Sequence, residues 1–297
     1  MANPPLLYGQ FQVSYIRHLG SGGLGSVSEV WVSETLCSIT PLGLRLAKKQ
    51  LNEQFKNEPT ACKRFEREIK AIRTMNHSRI IQFKGENLLS GSERFYLMPI
   101  YPKSLRDLVK AGSKTGNWMW VANLGADLAD AMHYAHGLGI KHRDLKPENV
   151  LMDADDFAVI ADWGCGYFVH KFSKVLQPAL TVWGPMGTQY YCSLEQWNSG
   201  KCDETGDIYS LGITLDEVVR GGTRTVFTQG LGIHGQLPDT VAGHTQGARY
   251  FNAVIRKMTA LVPSQRYQSM AEVAADLRYA IALDNPQSHG GYGTYGL

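Results

Sequence analysis

The stretch KHRDLKPENVLM, residues 141–152, concentrates charged side chains immediately before an apolar run. Residues 149–152 and 157–161 are predicted to form two short buried strands around a polar turn at residues 153–156. The charged segment is therefore expected to lie beside a hydrophobic core. A charge held there is costly unless another protein charge, a metal or a ligand accompanies it, which favours a functional site. An exposed loop with ordinary surface charges is the alternative.

Composition limits the classes of protein to which the chain can belong. With 297 residues and a net charge of +3, its basic residues are scattered, which disfavours a nucleic-acid groove. It has no run of eighteen apolar residues and no basic N-terminal start of a secretory signal, so we expect a cytoplasmic protein without membrane contact. The five cysteines include no C-x-x-C pair and the histidines no H-E-x-x-H spacing, which disfavours disulfides and a structural metal site.

The distribution of residue types predicts two lobes. Strand-like runs dominate residues 11–101, interrupted by one helix that begins near Pro59, whereas residues 104–283 carry helical periodicity. The predicted strands cover residues 11–19, 26–32, 44–51, 80–83 and 94–101, and the predicted helices of the second lobe cover 104–111, 117–136, 204–220, 248–261 and 270–283. Residues 221–247 are predicted to be loop, and the tail 285–297 is predicted to be disordered.

Residues 20–27, GSGGLGSV, match the pattern G-x-G-x-x-G-x-V. Glycines allow the backbone to approach a ligand closely and to present N–H groups to phosphate oxygens. Dinucleotide-binding proteins share the first six positions, but there the turn must open a helix, whereas residues 26–33 have the composition of a strand. A hairpin that covers a phosphate is therefore favoured, and a plain tight hairpin is the alternative.

Lys49 lies on a predicted strand two residues after Ala47, so these two side chains share a face and Lys48 points to the other. An inward ammonium needs a carboxylate partner. Glu68 is the candidate because it lies on or beside the apolar stripe of the predicted helix. A surface lysine and a surface glutamate are the alternative for each residue taken alone.

Asp162 follows the second short strand and precedes Trp163 and Gly164. Together with Asn149, Asp162 supplies hard oxygen donors of the kind that Mg²⁺ prefers when phosphates occupy its remaining positions. Asp144 is then free to accept a proton.

In their order and spacing, these motifs resemble those of eukaryotic-type Ser/Thr protein kinases, over roughly residues 11–283. The resemblance implies an α+β, bilobal fold, with an antiparallel sheet and one helix in an N-lobe, about 11–101, and a mainly helical C-lobe, about 104–283. It also implies ATP as the phosphoryl donor, with Mg²⁺ or Mn²⁺. Asp144 matches the catalytic base, Lys146 the γ-phosphate contact, Lys49 with Glu68 the pair that holds the α- and β-phosphates, and Asn149 and Asp162 the metal ligands.

The same resemblance assigns the nucleotide pocket and its supports. The ATP-binding residues that it implies are Leu19, Gly20, Ser21, Gly22, Gly23, Gly25, Val27, Ala47, Lys49, Met98, Tyr101 and Leu151. The supporting residues that it implies are Arg143, Thr188, Glu195, Asp207 and Arg266. In this assignment Asp207 braces the catalytic loop, and Glu195 pairs with Arg266. Thr181 and then Ser173 are the candidate regulatory phosphosites, with Arg143 as a basic partner for the phosphate.

Several positions depart from the family pattern. Trp163 replaces the usual Phe, which suggests an altered balance between active and inactive states. Residues 193–195, SLE, stand where Ala-Pro-Glu is usual, and Pro99 follows the predicted gatekeeper Met98. The segment after Arg220 lacks a convincing helix where the family has one, which leaves the mode of substrate docking open.

The sequence therefore predicts a kinase that transfers the γ-phosphoryl group of ATP to Ser or Thr of protein substrates. Lys146 and the Gly-Thr pair at residues 187–188 resemble the Ser/Thr class, which favours an alcohol as acceptor. Neither nucleic acid nor a membrane is expected as a partner, and self-association for autophosphorylation stays open. A pseudokinase or scaffold and a small-molecule phosphotransferase are the alternatives, and the presence of Lys49, Asp144 and Asp162 disfavours the first.

Overall fold

The first part of the chain folds around a five-stranded antiparallel sheet. The structure, a computed structural model, describes residues 11–22, 24–34, 44–87, 94–164, 190–199, 203–222 and 237–285. The strands are β1 (Phe11–Ser21), β2 (Gly25–Glu34), β3 (Leu44–Leu51), β4 (Gly85–Asn87) and β5 (Phe95–Met98), in the spatial order β1-β2-β3-β5-β4. β1 and β2 form the hairpin predicted from the glycine-rich segment.

One helix, α1 (Pro59–Thr74), packs on one face of this sheet. Pro59 suits the first helical turn, and the preceding Glu58 caps the helix by accepting a hydrogen bond from the Ala61 N–H. The buried stripe of the helix brings Phe65 against Tyr96 of β5, with ring centroids 5.7 Å apart. Glu68 lies in the same stripe, so the helix directs a carboxylate toward the sheet.

The opposite face of the sheet is also apolar. A second hydrophobic cluster on that face contains Val30, Val32, Leu46, Phe95 and Leu97, all buried. β3 therefore carries buried apolar side chains on both faces, with Leu46 in the second cluster and Ala47 in the main core.

Helices form most of the second part of the chain. They are α2 (Leu105–Ala111), α3 (Trp118–Gly137), α4 (Leu194–Ser199), α5 (Glu204–Arg220), α6 (Gln246–Met258) and α7 (Met270–Asp284). α5 is buried along almost its whole length and lies at the centre of this lobe. Gly112 and Gly221 end α2 and α5 in the left-handed conformation, which glycine adopts without a steric penalty.

A small three-stranded antiparallel sheet contains the apolar end of the stretch at residues 141–152. It consists of β6 (Lys103–Ser104), β7 (Val150–Met152) and β8 (Ala158–Ile160), in that spatial order. The turn between β7 and β8 is closed by Asp153, whose carboxylate accepts the N–H groups of Asp155 and Phe157. The two predicted short strands are confirmed, and the charged loop lies directly before them. The α+β architecture predicted from the sequence is thus present.

The observed secondary structure differs from the predictions in several places. Residues 80–83 form no strand, because Ile81 donates instead to the Ile160 carbonyl and the chain reaches the sheet edge only at Gly85. The helix α4 was not predicted. The predicted strand at residues 94–101 ends at Met98, and Pro99, which lacks an N–H, follows it. The predicted tail beyond residue 285 lies outside the described residues, as does most of the predicted loop at 221–247.

Within the described ranges, no helix combines the length and the apolar character needed to cross a membrane.

Candidate active site

Three charged side chains meet where the five-stranded sheet faces the helical lobe. Lys49 donates from Nζ to Glu68 Oε1 at 2.6 Å and to Asp162 Oδ1 at 3.0 Å. The predicted pairing of Lys49 with Glu68 is therefore present, and Lys48 lies on the other face over the Phe95 ring. One ammonium joins β3, α1 and the segment that follows β8.

Burial and proximity shift the pKa values of all three groups. Burial alone would lower the pKa of Lys49, but the Asp162 and Glu68 carboxylates raise it well above its usual value. Burial raises the pKa of Glu68, and the attraction of Lys49 offsets this only in part. Burial would also raise the pKa of Asp162, yet Lys49 and Arg64 hold it well below its usual range. Asp162 is therefore held in its ionised form, and 42% of its side chain is accessible to solvent.

In the glycine-rich hairpin, the Gly22 N–H donates to the Gly25 carbonyl at 2.8 Å. A Cβ at Gly25 would lie 2.5 Å from the Gln50 carbonyl oxygen, so the approach of β2 to β3 requires glycine there. Among the residues that the structure describes, none lies within 4 Å of a Cβ placed at Gly20. Gly20 therefore borders space that the described residues leave open. Gly23 lies outside the described residues.

Four of the residues predicted to bind ATP are partly buried against the main core. These are Leu19, Val27, Tyr101 and Leu151. Ala47 lies opposite Met98 in the β3–β5 pairing, and Val27 lies opposite Lys49 in the β2–β3 pairing. The pairing thus sets small and medium apolar side chains next to the Lys49 cluster.

Asp144 is held by two neighbours from its own loop. Lys146 Nζ donates to Asp144 Oδ2 at 2.8 Å, and Asn149 Nδ2 donates to Asp144 Oδ2 at 3.2 Å and to its backbone oxygen at 2.7 Å. The side chain of Asp144 is only 10% exposed. Asn149 also accepts the Ala161 N–H at its backbone oxygen, 2.8 Å away, which places Asn149 beside the residue preceding Asp162. The structure therefore brings Asp144, Lys146, Asn149 and Asp162 together.

Asp207 in the first turn of α5 braces the loop that carries Asp144. Its carboxylate accepts the backbone N–H groups of His142 at 2.9 Å and Arg143 at 2.7 Å, and lies 2.9 Å from His136 Nε2. Burial would raise the pKa of Asp207, but the hydrogen bond from His136 and the nearby His142 keep it lowered. His142 donates from Nε2 to the Ala161 carbonyl and accepts the Asp144 N–H at Nδ1, which fits the tautomer protonated at Nε2.

Two residues of the site have backbone conformations that are rare for side chains other than glycine. Arg143 has φ 64° and Asp162 has φ 61°. Such conformations carry strain and persist where the surrounding structure over-determines them, often at functional sites. They flank the site on its two sides, one directly before Asp144 and the other at the candidate metal ligand.

The predicted pair of Glu195 and Arg266 anchors α4 to the helical lobe. Arg266 donates to both carboxylate oxygens of Glu195, at 2.7 and 3.0 Å, and its side chain is fully buried. Burial would raise the pKa of Glu195, but hydrogen bonds from Arg266 and Ser193 lower it. Bidentate pairs of this kind are geometrically specific. The helix that the sequence did not predict is held by this long-range contact.

The sequence reasoning missed a second ionic network beside the loop that carries Asp144. Arg106 on α2 donates to Glu148 at 2.8 Å, to Glu217 on α5 at 2.7 Å and to the Tyr191 hydroxyl at 2.5 Å. Tyr191 in turn donates to Glu217. Glu148 lies within the motif at residues 141–152, but its partner is 42 positions away, and no local spacing reveals it.

Trp163 is buried beneath the loop that carries Asp144. Its indole Nε1 donates to the Ile160 carbonyl at 3.2 Å, and its ring packs edge-on against His142 with centroids 4.8 Å apart. A Cβ at the following Gly164 would lie 2.9 Å from Glu68 Oε2, so α1 packs directly on this turn. The effect of Trp163 on the balance between active and inactive states stays a prediction.

Replacing Trp163 with Phe should lower the free energy of unfolding by about 1–3 kcal/mol, because a buried hydrogen bond is lost and a cavity forms. Chemical denaturation of the two proteins measures this difference. Trp197→Phe is the matched control, since Trp197 is 51% exposed, and it should change stability by less than about 0.5 kcal/mol. Equal losses of stability in the two variants would contradict the predicted packing role of Trp163. Unchanged nucleotide affinity and activity in Trp163→Phe would contradict its predicted effect on the balance between active and inactive states.

Several predicted residues fall outside the described part of the chain. These are Gly23, Thr188 and the two candidate phosphosites Thr181 and Ser173. Their predicted roles stay predictions.

The sheet lobe, the helical lobe and the charged cluster between them define a protein kinase fold. The chain belongs to the protein kinase domain family, whose model matches residues 13–275. The predicted domain limits of 11–283 stay a prediction.

Named relatives and a solved structure accompany this family match. The chain is 29% identical to serine/threonine-protein kinase PknB of Mycobacterium leprae, over 93% of this chain and 44% of that protein. It is 28% identical to serine/threonine-protein kinase PknD of Chlamydia pneumoniae, over 88% of this chain and 30% of that protein. The chain thus spans less than half the length of these relatives. The crystal structure of the Mycobacterium tuberculosis PknI kinase domain superposes with a TM-score of 0.64 at 20% identity, covering 90% of this chain and 96% of that one, which shows the fold alone.

Proposed function

We propose that the protein transfers the γ-phosphoryl group of ATP to serine or threonine hydroxyls of protein substrates. The observation that supports this best is the cluster in which Lys49 bridges Glu68 and Asp162, beside a loop that holds Asp144, Lys146 and Asn149 within hydrogen-bonding distance of one another. Phosphoryl transfer requires positioning of the reactants and neutralisation of phosphate charge more than covalent participation by the protein. The relatives described as serine/threonine-protein kinases support the choice of acceptor.

In this proposal the nucleotide lies between the glycine-rich hairpin and β7. The apolar residues Leu19, Val27, Ala47, Met98 and Leu151 would contact the adenine, and Tyr101 would offer its backbone N–H. Lys49, held by Glu68, would contact the α- and β-phosphates, and the open space at Gly20 would admit phosphate oxygens close to the backbone. Ser21, Gly22 and Gly25 would shape the same turn.

Asp162 and Asn149 fit a divalent cation such as Mg²⁺ or Mn²⁺. Asp162 is partly accessible and its pKa is depressed by Lys49, so it presents a charged oxygen. Asn149 turns its Nδ2 toward Asp144, which leaves its carboxamide oxygen on the other side of the group. When bound, the metal would supply charge neutralisation at the phosphates.

Asp144 would orient the acceptor hydroxyl and take its proton, while Lys146 would neutralise charge on the transferred group. Asp207 would hold the loop, and Glu195 with Arg266 would anchor the neighbouring helix. Arg143 would receive a regulatory phosphate on Thr181 or Ser173. A cytoplasmic location, protein substrates and autophosphorylation between copies of the chain belong to the same proposal.

Incubating the purified protein with Mg²⁺, ATP labelled at the γ-phosphate and a generic protein acceptor tests the function. We expect label on serine and threonine of the acceptor or of the kinase itself, located by phosphosite mapping. Nucleotide binding without transfer would instead indicate a pseudokinase, and label confined to small molecules a different phosphotransferase. Label on tyrosine alone would overturn the predicted acceptor.

A further inference from the structure

Gln196 is a buried carboxamide on α4 that contacts the backbone of the catalytic loop. Its Nε2 donates to the Arg143 carbonyl oxygen at 2.7 Å, across a separation of 53 residues. Gln196 is 3% exposed. It lies next to Glu195 in the chain, yet the two side chains have different partners, because Glu195 binds Arg266 in the helical lobe.

The Arg143 peptide is held from both ends. Its N–H donates to Asp207 Oδ1 at 2.7 Å, and its carbonyl accepts from Gln196 at 2.7 Å. Between these two contacts Arg143 adopts φ 64°, a left-handed conformation that is unfavourable for a side chain with a Cβ. This conformation sets the direction in which the chain enters Asp144. The strain is therefore balanced by two hydrogen bonds from elements distant in sequence.

Both the orientation of the Gln196 amide and the position of helix α4, which carries it, are fixed. A carbonyl can only accept, so the amide must turn its NH₂ group toward Arg143, and its Oε1 is left buried without a partner in the described part of the chain. Burying an acceptor without a hydrogen-bond partner is unfavourable. The hydrogen bond from Gln196 Nε2 to the Arg143 carbonyl is the favourable contact that offsets this cost. Helix α4 cannot easily shift, because Glu195 and the fully buried Arg266 tie it to the lobe.

We propose that Gln196 is a positioning residue for phosphoryl transfer, which holds the left-handed Arg143 peptide so that Asp144 meets the acceptor hydroxyl. This proposal rests on the proposed function, in which Asp144 is the base. Gln196 touches neither reactant and acts through Arg143. Its contribution should therefore appear in kcat and not in nucleotide affinity.

The first test replaces Gln196 with Met, which keeps the length of the side chain and removes both amide hydrogens. We expect kcat for transfer to a protein acceptor to fall about 10–100-fold, since small displacements of catalytic groups have effects of this size. The dissociation constant for Mg²⁺-ATP should stay within about twofold of the wild type. Gln246→Met is the matched control, because Gln246 is an exposed residue in the first turn of α6, and it should leave both quantities unchanged.

A second test asks whether Gln196 acts through Asp144. In an Asp144→Asn background, Gln196→Met should lower the residual kcat by less than about threefold, because residues that act as a unit are not additive. A purely structural role would give the same loss in both backgrounds. That result would overturn the proposal.

The thermal unfolding midpoint of Gln196→Met shows whether a loss of kcat reflects misplacement of Asp144 or a failure to fold. Should Gln196→Met not fold, Gln196→Asn keeps the amide but withdraws it by one methylene, and the same kinetic pattern is expected. Normal kcat in a folded variant, or failure of both variants to fold, overturns the positioning role. If the wild type transfers no phosphate, the proposed function fails, and if Asp144→Asn transfers phosphate as fast as the wild type, the assignment of Asp144 as the base fails. An unchanged kcat in Gln196→Met together with a large loss in Asp144→Asn overturns the positioning role alone.

Discussion

Asp144→Asn should lower kcat for phosphoryl transfer by about 10²–10⁴, with the affinity for Mg²⁺-ATP changed by less than about twofold. The substitution preserves size but removes the group that accepts the proton of the acceptor hydroxyl. Lys146 and Asn149 hold the carboxylate of Asp144 in place, and the amide of the variant can still accept one of these hydrogen bonds. The folded structure should therefore survive while the chemistry slows.

Steady-state transfer to a protein acceptor and equilibrium nucleotide binding measure the two quantities. Asp155→Asn is the matched control, because Asp155 lies in the exposed turn between β7 and β8 and makes the same change of charge. An unchanged kcat in Asp144→Asn would refute the assignment of the base. A large loss of nucleotide affinity would instead indicate that Asp144 contacts the nucleotide or its metal.

Lys49→Met should lower kcat/KM for ATP by about 10²–10³, the range for loss of one preorganised charge contact. Without the ammonium, Glu68 and Asp162 are neighbouring carboxylates that share no cation, so the pKa of Glu68, which burial already raises, should rise further. The variant loses a contact to phosphate and also the bond that joins β3 to α1 and to the turn after β8. Both effects act against productive binding of ATP.

The chain contains a close control for this experiment. Lys48 is adjacent in sequence and points to the opposite face of β3, over the Phe95 ring. Lys48→Met should change kcat/KM by less than about threefold, although it removes the same charge. If the two variants lose activity equally, general electrostatic attraction of ATP explains the effect better than a specific contact.

Elements with a strong local signal were predictable from the sequence. Helix α1 follows from Pro59 and an apolar stripe, and the β1–β2 hairpin follows from the spacing of glycines. Residues 80–83 were predicted wrongly because a short apolar run has no diagnostic period, and tertiary contacts decided its conformation. β4 consists of Gly85, Glu86 and Asn87, which have little strand propensity, and within the described part of the chain it pairs with β5 alone.

Much of the candidate site was also predictable, since Lys49, Glu68, Asp144, Asn149 and Asp162 carry recognisable motifs. What the motifs could not indicate is how distant residues hold these groups. Neither Gln196 nor Arg106 belongs to a recognisable sequence motif. Gln196 contacts Arg143, 53 positions away, and Arg106 contacts Glu217, 111 positions away. Helix α4 has only six residues and exposes Leu194 and Trp197, so its amphipathic signal is weak.

The two apolar faces of β3 affect how the sheet could mispair. In a one-sided sheet, a slip of one residue turns the hydrophobic side chains to water, and this penalty protects the register. If β3 slipped by one residue, apolar side chains would still be buried on both faces of the sheet. Lys48 would then replace Lys49 beside Glu68, and Leu46 would occupy the position of Ala47, where the proposed site leaves room for the adenine ring. Such molecules would escape dyes that detect exposed apolar surface, and would be revealed only as a fraction of the preparation that binds no nucleotide.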